Sequence, residues 1–190
     1  FHDPKPPAVN ELEPILSPEP VSLPELTFHQ PPKPISKRAI TEDWMDFLGP
    51  THNAISRETH LLSEFSEAGP NIVWEVEKGE GYAAPAVVGE RVILFHRAGD
   101  TEVVECLQAE TGQRFWKQSY PSEYRDRYGF GNGPGCQPIS DGKFVYTLGV
   151  EAIFSCWELV SGQLLWQRDL KVDNGENDEV EQTKTKAMIF

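Results

Sequence analysis

Between residues 72 and 170, apolar residues occur in short runs of strand length, separated by turns that contain glycine or aspartate. The runs are rich in β-branched and aromatic residues and are shorter than typical helices, which predicts β-strands. Eight strands are predicted over residues 82–88, 92–95, 103–108, 113–119, 137–140, 143–148, 153–158 and 163–170. A further strand is predicted over residues 72–77. The region is therefore predicted to be all-β.

The eight strands fall into two copies of one repeat. The sequence Thr-Gly-Gln-Arg-Phe-Trp at residues 111–116 aligns with Ser-Gly-Gln-Leu-Leu-Trp at residues 161–166, at a spacing of 50. Upstream, residues 85–92 align with residues 138–145 at a spacing of 53. A period near 50 residues is typical of solenoids, propellers and other arrays. Four antiparallel strands in each copy favour the blades of a β-propeller. The two blades are predicted over residues 81–119 and 135–170.

Around each tryptophan, the repeat resembles the tryptophan-docking motif of the pyrroloquinoline-quinone (PQQ) propeller family, Ala-x-Asp-x-x-Thr-Gly-x-x-x-Trp. The matching positions are Cys106, Gln108, Thr111, Gly112 and Trp116 in the first copy, and Cys156, Glu158, Ser161, Gly162 and Trp166 in the second. The glycine and the tryptophan match in both copies, whereas the aspartate is replaced in both. Residues 43–50 and 69–74 also resemble family members, so the resemblance covers residues 43–170. Kelch and WD40 propellers fit less well, because a glycine doublet and a Gly-His…Trp-Asp pair are missing.

The resemblance implies a β-propeller of four-stranded antiparallel blades, with about two blades and one outer strand in this sequence. Gly112, Trp116, Gly162, Trp166 and Trp74 are then structural residues of the repeat, and the three tryptophans are expected to be buried at equivalent places. The strand over residues 72–77 is interpreted as the outer strand of a blade formed by the C-terminal part of the full protein. A closed propeller needs at least four blades. The sequence is therefore predicted to be an N-terminal fragment that packs against the remaining blades of the same chain.

Composition divides the chain into four segments. Residues 1–40 contain ten prolines and are predicted to be a disordered linker. Residues 41–71 are an entry segment with a short helix over residues 59–65, in which Trp44, Phe47 and Leu48 are expected to fill apolar gaps on the propeller flank. The blades occupy residues 72–170, and residues 171–190 form an acidic and polar segment.

One loop is longer than the repeat requires. Between Trp116 and Pro138 lie 21 residues, whereas ten residues lie between Trp74 and Pro85. The insertion, residues 120–136, joins an outer strand to the next inner strand and is expected on the face where propellers usually bind ligands. Its candidate ligand-binding residues are Tyr124, Arg125, Arg127, Tyr128 and Asn132. The alternative is a surface loop that only covers the mouth of the propeller, with both arginines paired to Glu123 and Asp126.

Charge and residue spacing exclude several classes of function. The chain has 30 acidic and 17 basic residues, which argues against a nucleic-acid partner. No apolar run approaches the roughly 20 residues that span a bilayer, so no transmembrane segment is predicted. The five histidines show no metal-ligand spacing, and no catalytic or metal-binding residue can be assigned. Cys106 and Cys156 occupy equivalent places in neighbouring blades and are expected to be too far apart to bridge, while Cys136 is expected to be a free thiol in the insertion.

Two functions are consistent with the resemblance. The first is a non-catalytic propeller outside the cytoplasm, periplasmic or secreted, that binds a protein or a small molecule on its face. The alternative is a PQQ- and Ca²⁺-dependent quinoprotein dehydrogenase that oxidises alcohols or sugars, with its active site mostly in blades beyond this sequence. Such dehydrogenases hold PQQ and Ca²⁺ with carboxylates and an asparagine, and many have a disulfide between adjacent cysteines. No adjacent cysteines are present and no cofactor ligand can be identified in this sequence, which favours the non-catalytic module.

Overall fold

The computed structural model of the chain describes residues 18–173. The strands are β1 (Leu26–Phe28), β2 (Trp74–Val76), β3 (Ala86–Val88), β4 (Arg91–Ala98), β5 (Thr101–Gln108), β6 (Arg114–Pro121), β7 (Ile139–Ser140), β8 (Phe144–Leu148), β9 (Ile153–Glu158) and β10 (Leu164–Asp169). A single helical turn, α1 (Leu170–Asp173), follows β10. Within residues 18–173, no helix is long and apolar enough to cross a membrane.

The strands form three antiparallel sheets. Blade 1 has the strand order β3-β4-β5-β6, blade 2 has the order β7-β8-β9-β10, and β1 pairs with β2 in a separate two-stranded sheet. β3 lies beside β7, so the two blades converge at their first strands. These first strands are the inner strands, and β6 and β10 are the outer strands. The prediction of an all-β, incomplete propeller is confirmed.

The turn between the third and fourth strands has the same structure in both blades. Gly112 and Gly162 adopt φ angles of 71° and 73°, which few residues other than glycine tolerate. Each glycine N–H donates to a carbonyl four residues earlier, that of Gln108 or Glu158, at 2.8 Å. The strand register shifts just after the turn in both blades, as a hairpin with a bulge requires. The backbone of this turn therefore requires the glycine that the two copies share at this position.

The hydrophobic core lies between the two blades. One face of blade 1 is packed against blade 2 and contributes Ile93, Phe95, Val104, Cys106 and Trp116 to the buried cluster. The Trp116 ring lies over Gly162, and its Nε1–H donates to the Leu159 carbonyl at 2.9 Å. The outer tryptophan of one repeat therefore docks on the glycine turn of the next repeat.

Docking explains why the three tryptophans differ in burial. Trp74 repeats the arrangement, because its ring lies over Gly112 and its Nε1–H donates to the Ala109 carbonyl at 2.8 Å, yet it is only half-buried. Trp166 is 40% exposed, so the expectation that all three are buried alike is wrong. Within residues 18–173 no further repeat offers Trp166 a glycine turn. Its ring instead packs edge-on against Phe154 on the open face of blade 2, at a centroid distance of 5.2 Å.

The prediction of a disordered linker over residues 1–40 is wrong for residues 21–28. Val21 exchanges backbone hydrogen bonds of 2.9 and 2.8 Å with Arg114, and Leu23 is buried. Strand β1 follows and pairs with β2, so a partner for the predicted outer strand comes from the N-terminal segment. The prolines break the segment into short pieces, but β1 itself contains none and can therefore join a sheet. Residues 1–17 lie outside the described residues.

The entry segment also differs from its prediction. Residues 59–65 contain no helix, since the Thr59 backbone and side chain are engaged by the Ile40 backbone instead. Trp44 exchanges two backbone hydrogen bonds of 2.9 Å with Val87 of β3, and the Met45 carbonyl accepts the Ser140 N–H of β7 at 2.9 Å. The segment therefore runs along the inner strands of both blades rather than along the flank. Phe47 and Leu48, expected to fill apolar gaps, are exposed.

Candidate functional site

The insertion begins in the last two residues of β6 and leads towards β7. Adjacent strands run in opposite directions, so the turn between the second and third strands of a blade lies on the same face as the connection that leaves its fourth strand. The β4–β5 turn, the β8–β9 turn, the β2–β3 connection and the insertion therefore share one face of the propeller. This face gathers most of the loops that the repeat does not fix.

Arg97 ties the two ends of the insertion to blade 1. Its side chain is buried, and its guanidinium donates to the Ser122 carbonyl at 2.7 Å, the Ser122 hydroxyl at 3.1 Å and the Asn132 carbonyl at 3.2 Å. A guanidinium with several donors in a fixed plane suits this bridging role. The insertion is thus anchored at its base by one buried cation.

The β2–β3 connection is stapled to the far end of the insertion. The Pro134 carbonyl accepts the N–H groups of Tyr82 and Ala83 at 2.9 and 3.0 Å. Asn132 donates from its backbone and its side chain to one oxygen of the Glu80 carboxylate, at 3.2 and 3.1 Å. The two loops therefore act as one unit.

Asp126 organises the tip of the insertion. One carboxylate oxygen accepts the Tyr128 N–H at 3.0 Å, and the other accepts the N–H groups of Phe130 and of Gly131, the latter at 3.0 Å. These backbone donors, that of Tyr128 first, hold the pKa of Asp126 below its usual value of 3.8. The Asn132 side-chain oxygen accepts the Asp126 N–H at 2.9 Å and closes the turn.

The closed turn projects aromatic side chains into solvent. Tyr128 is 82% exposed and Phe130 is 74% exposed, with ring centroids 6.4 Å apart. Tyr82, 75% exposed, donates its hydroxyl to the Phe130 carbonyl and so lies beside them. The Arg127 side chain is exposed, and within residues 18–173 it has no hydrogen bond or ion pair. Tyr82, Arg127, Tyr128 and Phe130 are called the aromatic platform below.

The five residues predicted as a ligand site divide into two groups. Arg127 and Tyr128 project outward from the tip. Asn132 is half-buried and holds the loops together, and Arg125 pairs with Asp100 at 2.7 Å beside a cleft of about 430 Å³. Tyr124 is half-buried, and its carbonyl accepts from Arg125. Whether these residues bind a ligand stays a prediction.

The alternative pairing of both arginines with Glu123 and Asp126 is not what the structure shows. Arg125 uses Asp100, and the Asp126 carboxylate is occupied by backbone N–H groups. Sequence reasoning also missed Tyr82 and Phe130. The signal for Tyr82 was topological: the β2–β3 connection and the insertion both run from an outer strand to the next inner strand, so they end on one face.

One family model matches a segment in the second half of the chain. The family model described as outer membrane protein assembly factor BamB, a PQQ-repeat model, matches residues 100–185. Residues 100–185 thus match a PQQ-like repeat. The resemblance drawn from the tryptophan motif is confirmed. No curated protein matches the chain.

Blade 1 and the β2–β3 connection share a buried polar network that is structural. His96 accepts the Gly79 N–H at 3.0 Å on Nδ1, and its Nε2 lies 2.8 Å from Glu105, which also pairs with Arg114 at 3.1 Å. Burial opposes ionisation of Glu105, but the hydrogen bonds from His96 and Arg114 outweigh it and lower its pKa. The predicted strand over residues 92–95 ends just before His96. His96 lies inside β4 and fastens the β2–β3 connection to blade 1.

The described residues include the His, Cys, Asp and Glu side chains that can ligate metals, and cysteines that can react as thiols. Among residues 18–173, no group of three or more His, Cys, Asp or Glu side chains is arranged to hold a metal ion. The three cysteines are free, and only Cys136 is exposed. Burial raises the pKa of Cys106 to about 12, so this thiol stays protonated and inert.

The order of the insertion tip should depend on the ionisation of Asp126. The folded carboxyl has a lowered pKa, so its hydrogen bonds are present above the ordinary value of 3.8 and are lost as pH falls through the folded pKa. We expect the amides of Tyr128, Phe130 and Gly131 to lose protection below about pH 3.8, and at neutral pH in Asp126→Ala. Amide exchange measured by NMR checks this, with Asp46→Ala in the entry segment as control. Protection that persists in Asp126→Ala at neutral pH would contradict it.

Proposed function

We propose that this propeller is a non-catalytic binding module that acts outside the cytoplasm and engages other molecules through the face that carries the insertion. The observation that carries the proposal is the aromatic platform. Rings and a cation are held in solvent by a turn whose polar groups are satisfied internally. Tyrosine and arginine are enriched among residues that dominate binding energy.

Two further observations support this reading. The insertion and the β2–β3 connection are anchored by the buried side chain of Arg97 and by backbone bonds, so the platform is on a rigid base. A site on a rigid scaffold loses little conformational entropy on binding. The description of the matching family, an outer membrane protein assembly factor, supports a location in the cell envelope and a role in contact with other proteins.

Site-specific photocrosslinking tests the proposal. A photoreactive phenylalanine analogue is placed at Tyr128 in the full-length protein within its native cells, and the matched control carries it at Phe47. Both positions are aromatic and highly exposed, at 82% and 73%. We expect discrete crosslinked products from position 128 in the envelope or secreted fraction, and none from position 47.

Two results would contradict the proposal. One is equal labelling at the two positions, which would mean that the insertion face is ordinary surface. The other is oxidation of simple alcohols or sugars when PQQ and Ca²⁺ are added to the full-length protein. Reduction of a dye measures this oxidation. Turnover lost on chelation would establish the quinoprotein dehydrogenase instead.

A further inference from the structure

The aromatic platform is ordered before any partner arrives. Asp126 fixes the backbone of Tyr128, Phe130 and Gly131, and the Tyr82 hydroxyl is bonded to the Phe130 carbonyl. Large aromatic side chains with few rotatable bonds supply contact area at low entropic cost. Their exposure on a fixed turn suits stacking against a flat or apolar group.

The charges around the platform have an uneven distribution. Two carboxylates beside it are engaged by hydrogen bonds within the loops, since Asp126 accepts backbone N–H groups and the exposed Glu80 accepts from Asn132. Arg127 projects outward without a partner in residues 18–173, and the exposed Lys78 lies next to Tyr82, with its amine on the Gly81 carbonyl at 2.8 Å. In a chain of formal net charge −13, Arg127 is thus a cation beside the rings that forms no ion pair within residues 18–173.

From this arrangement we infer that the platform binds an acidic peptide segment of another protein, in which a carboxylate stands beside a proline or an aromatic residue. Arg127 would pair with the carboxylate, and the rings of Tyr82, Tyr128 and Phe130 would pack on the neighbouring side chain. The inference rests on the proposed function and names its partner class. A glycan fits less well, because the Asn132 amide and the Glu80 carboxylate, which could bond sugar hydroxyls, are occupied by each other.

Peptide display on the immobilised full-length protein tests the inference. The probe is a library of random 12-residue peptides, and each enriched peptide is then synthesised together with its Glu→Gln and Asp→Asn counterpart. Enriched peptides should carry acidic residues next to proline or aromatic residues. Arg127→Glu and Tyr128→Ala should each weaken binding by at least about tenfold, the loss typical of a residue that dominates an interface. The amide counterpart peptide should bind as weakly to the unchanged protein.

Arg38→Glu and Phe47→Ala are matched controls, since both positions are exposed and lie in the N-terminal and entry segments. They should alter binding less than about twofold. Platform-dependent peptides without acidic residues would overturn the inference while leaving the proposed function intact. Platform-dependent retention of the protein on a glycan array, with no acidic peptide enriched, would do the same. Binding that ignores every platform substitution would overturn both.

Discussion

Trp116→Ala is expected to lower the free energy of unfolding by about 3–5 kcal/mol, the range for a large buried aromatic. The side chain is 6% exposed and lies in the core between the two blades. Its removal leaves a cavity over Gly162 and leaves the buried Leu159 carbonyl without the indole N–H at 2.9 Å. Both effects act on the joint between the repeats, so the blades should separate more easily.

Trp166→Ala is the matched control, because Trp166 occupies the same motif position in blade 2 and is 40% exposed. Within the 190-residue chain it should cost less than about 2 kcal/mol, in proportion to the smaller apolar area that it buries. Chemical denaturation of both variants gives the free energies, and an unchanged slope with denaturant keeps the comparison valid. Equal losses would mean that burial by the following repeat does not decide the energetics of this motif.

The repeat could be predicted because it is local. The glycine and the tryptophan of each copy lie within a few residues of one turn and its bulge. The pattern therefore predicts the strands and their order. The burial of Trp166 could not be predicted in the same way. It depends on a neighbouring surface, which the sequence of blade 2 does not encode.

The N-terminal segment shows where composition misleads. Ten prolines in residues 1–40 predict a linker, yet Val21 and β1 find open strand edges at Arg114 and β2. The availability of such an edge is a tertiary property. The same holds for Trp44, whose backbone pairs with an inner strand although its side chain suggested a gap filler.

The candidate site was predicted in position but not in composition. A length difference between two connections was enough to locate the insertion. The sequence did not show which insertion residues hold the loop and which project outward. Arg125 and Asn132 are held by Asp100 and Glu80, which lie about 25 and 52 positions earlier in the chain. Such long-range polar pairs leave no local periodicity. Tyr82 was missed for the same reason.

Gly162→Ala should cost more than the backbone angle alone explains. At a φ of 73°, an alanine is strained by roughly 1–2 kcal/mol, and its Cβ would lie 2.5 Å from Cδ2 of Trp116. Because the ring is packed in the core, displacing it should add about 1–3 kcal/mol. Gly142→Ala is the control, since Gly142 has a φ of 87° and nothing within 4 Å of an added Cβ, so it reports the strain by itself.

A double-mutant cycle then isolates the contact between the Trp116 ring and residue 162. In the Trp116→Ala background the ring is gone, so Gly162→Ala should fall to the cost of Gly142→Ala, about 1–2 kcal/mol. Tryptophan fluorescence gives an independent reading, because displacement of the buried Trp116 ring toward water should shift its emission to longer wavelength in Gly162→Ala but not in Gly142→Ala. An equal loss of unfolding free energy from Gly162→Ala with and without the Trp116 ring would show that the glycine is required for its backbone angle only. If Gly162→Ala is less destabilising once the ring is removed, the tryptophan of one repeat packs on the glycine of the next repeat.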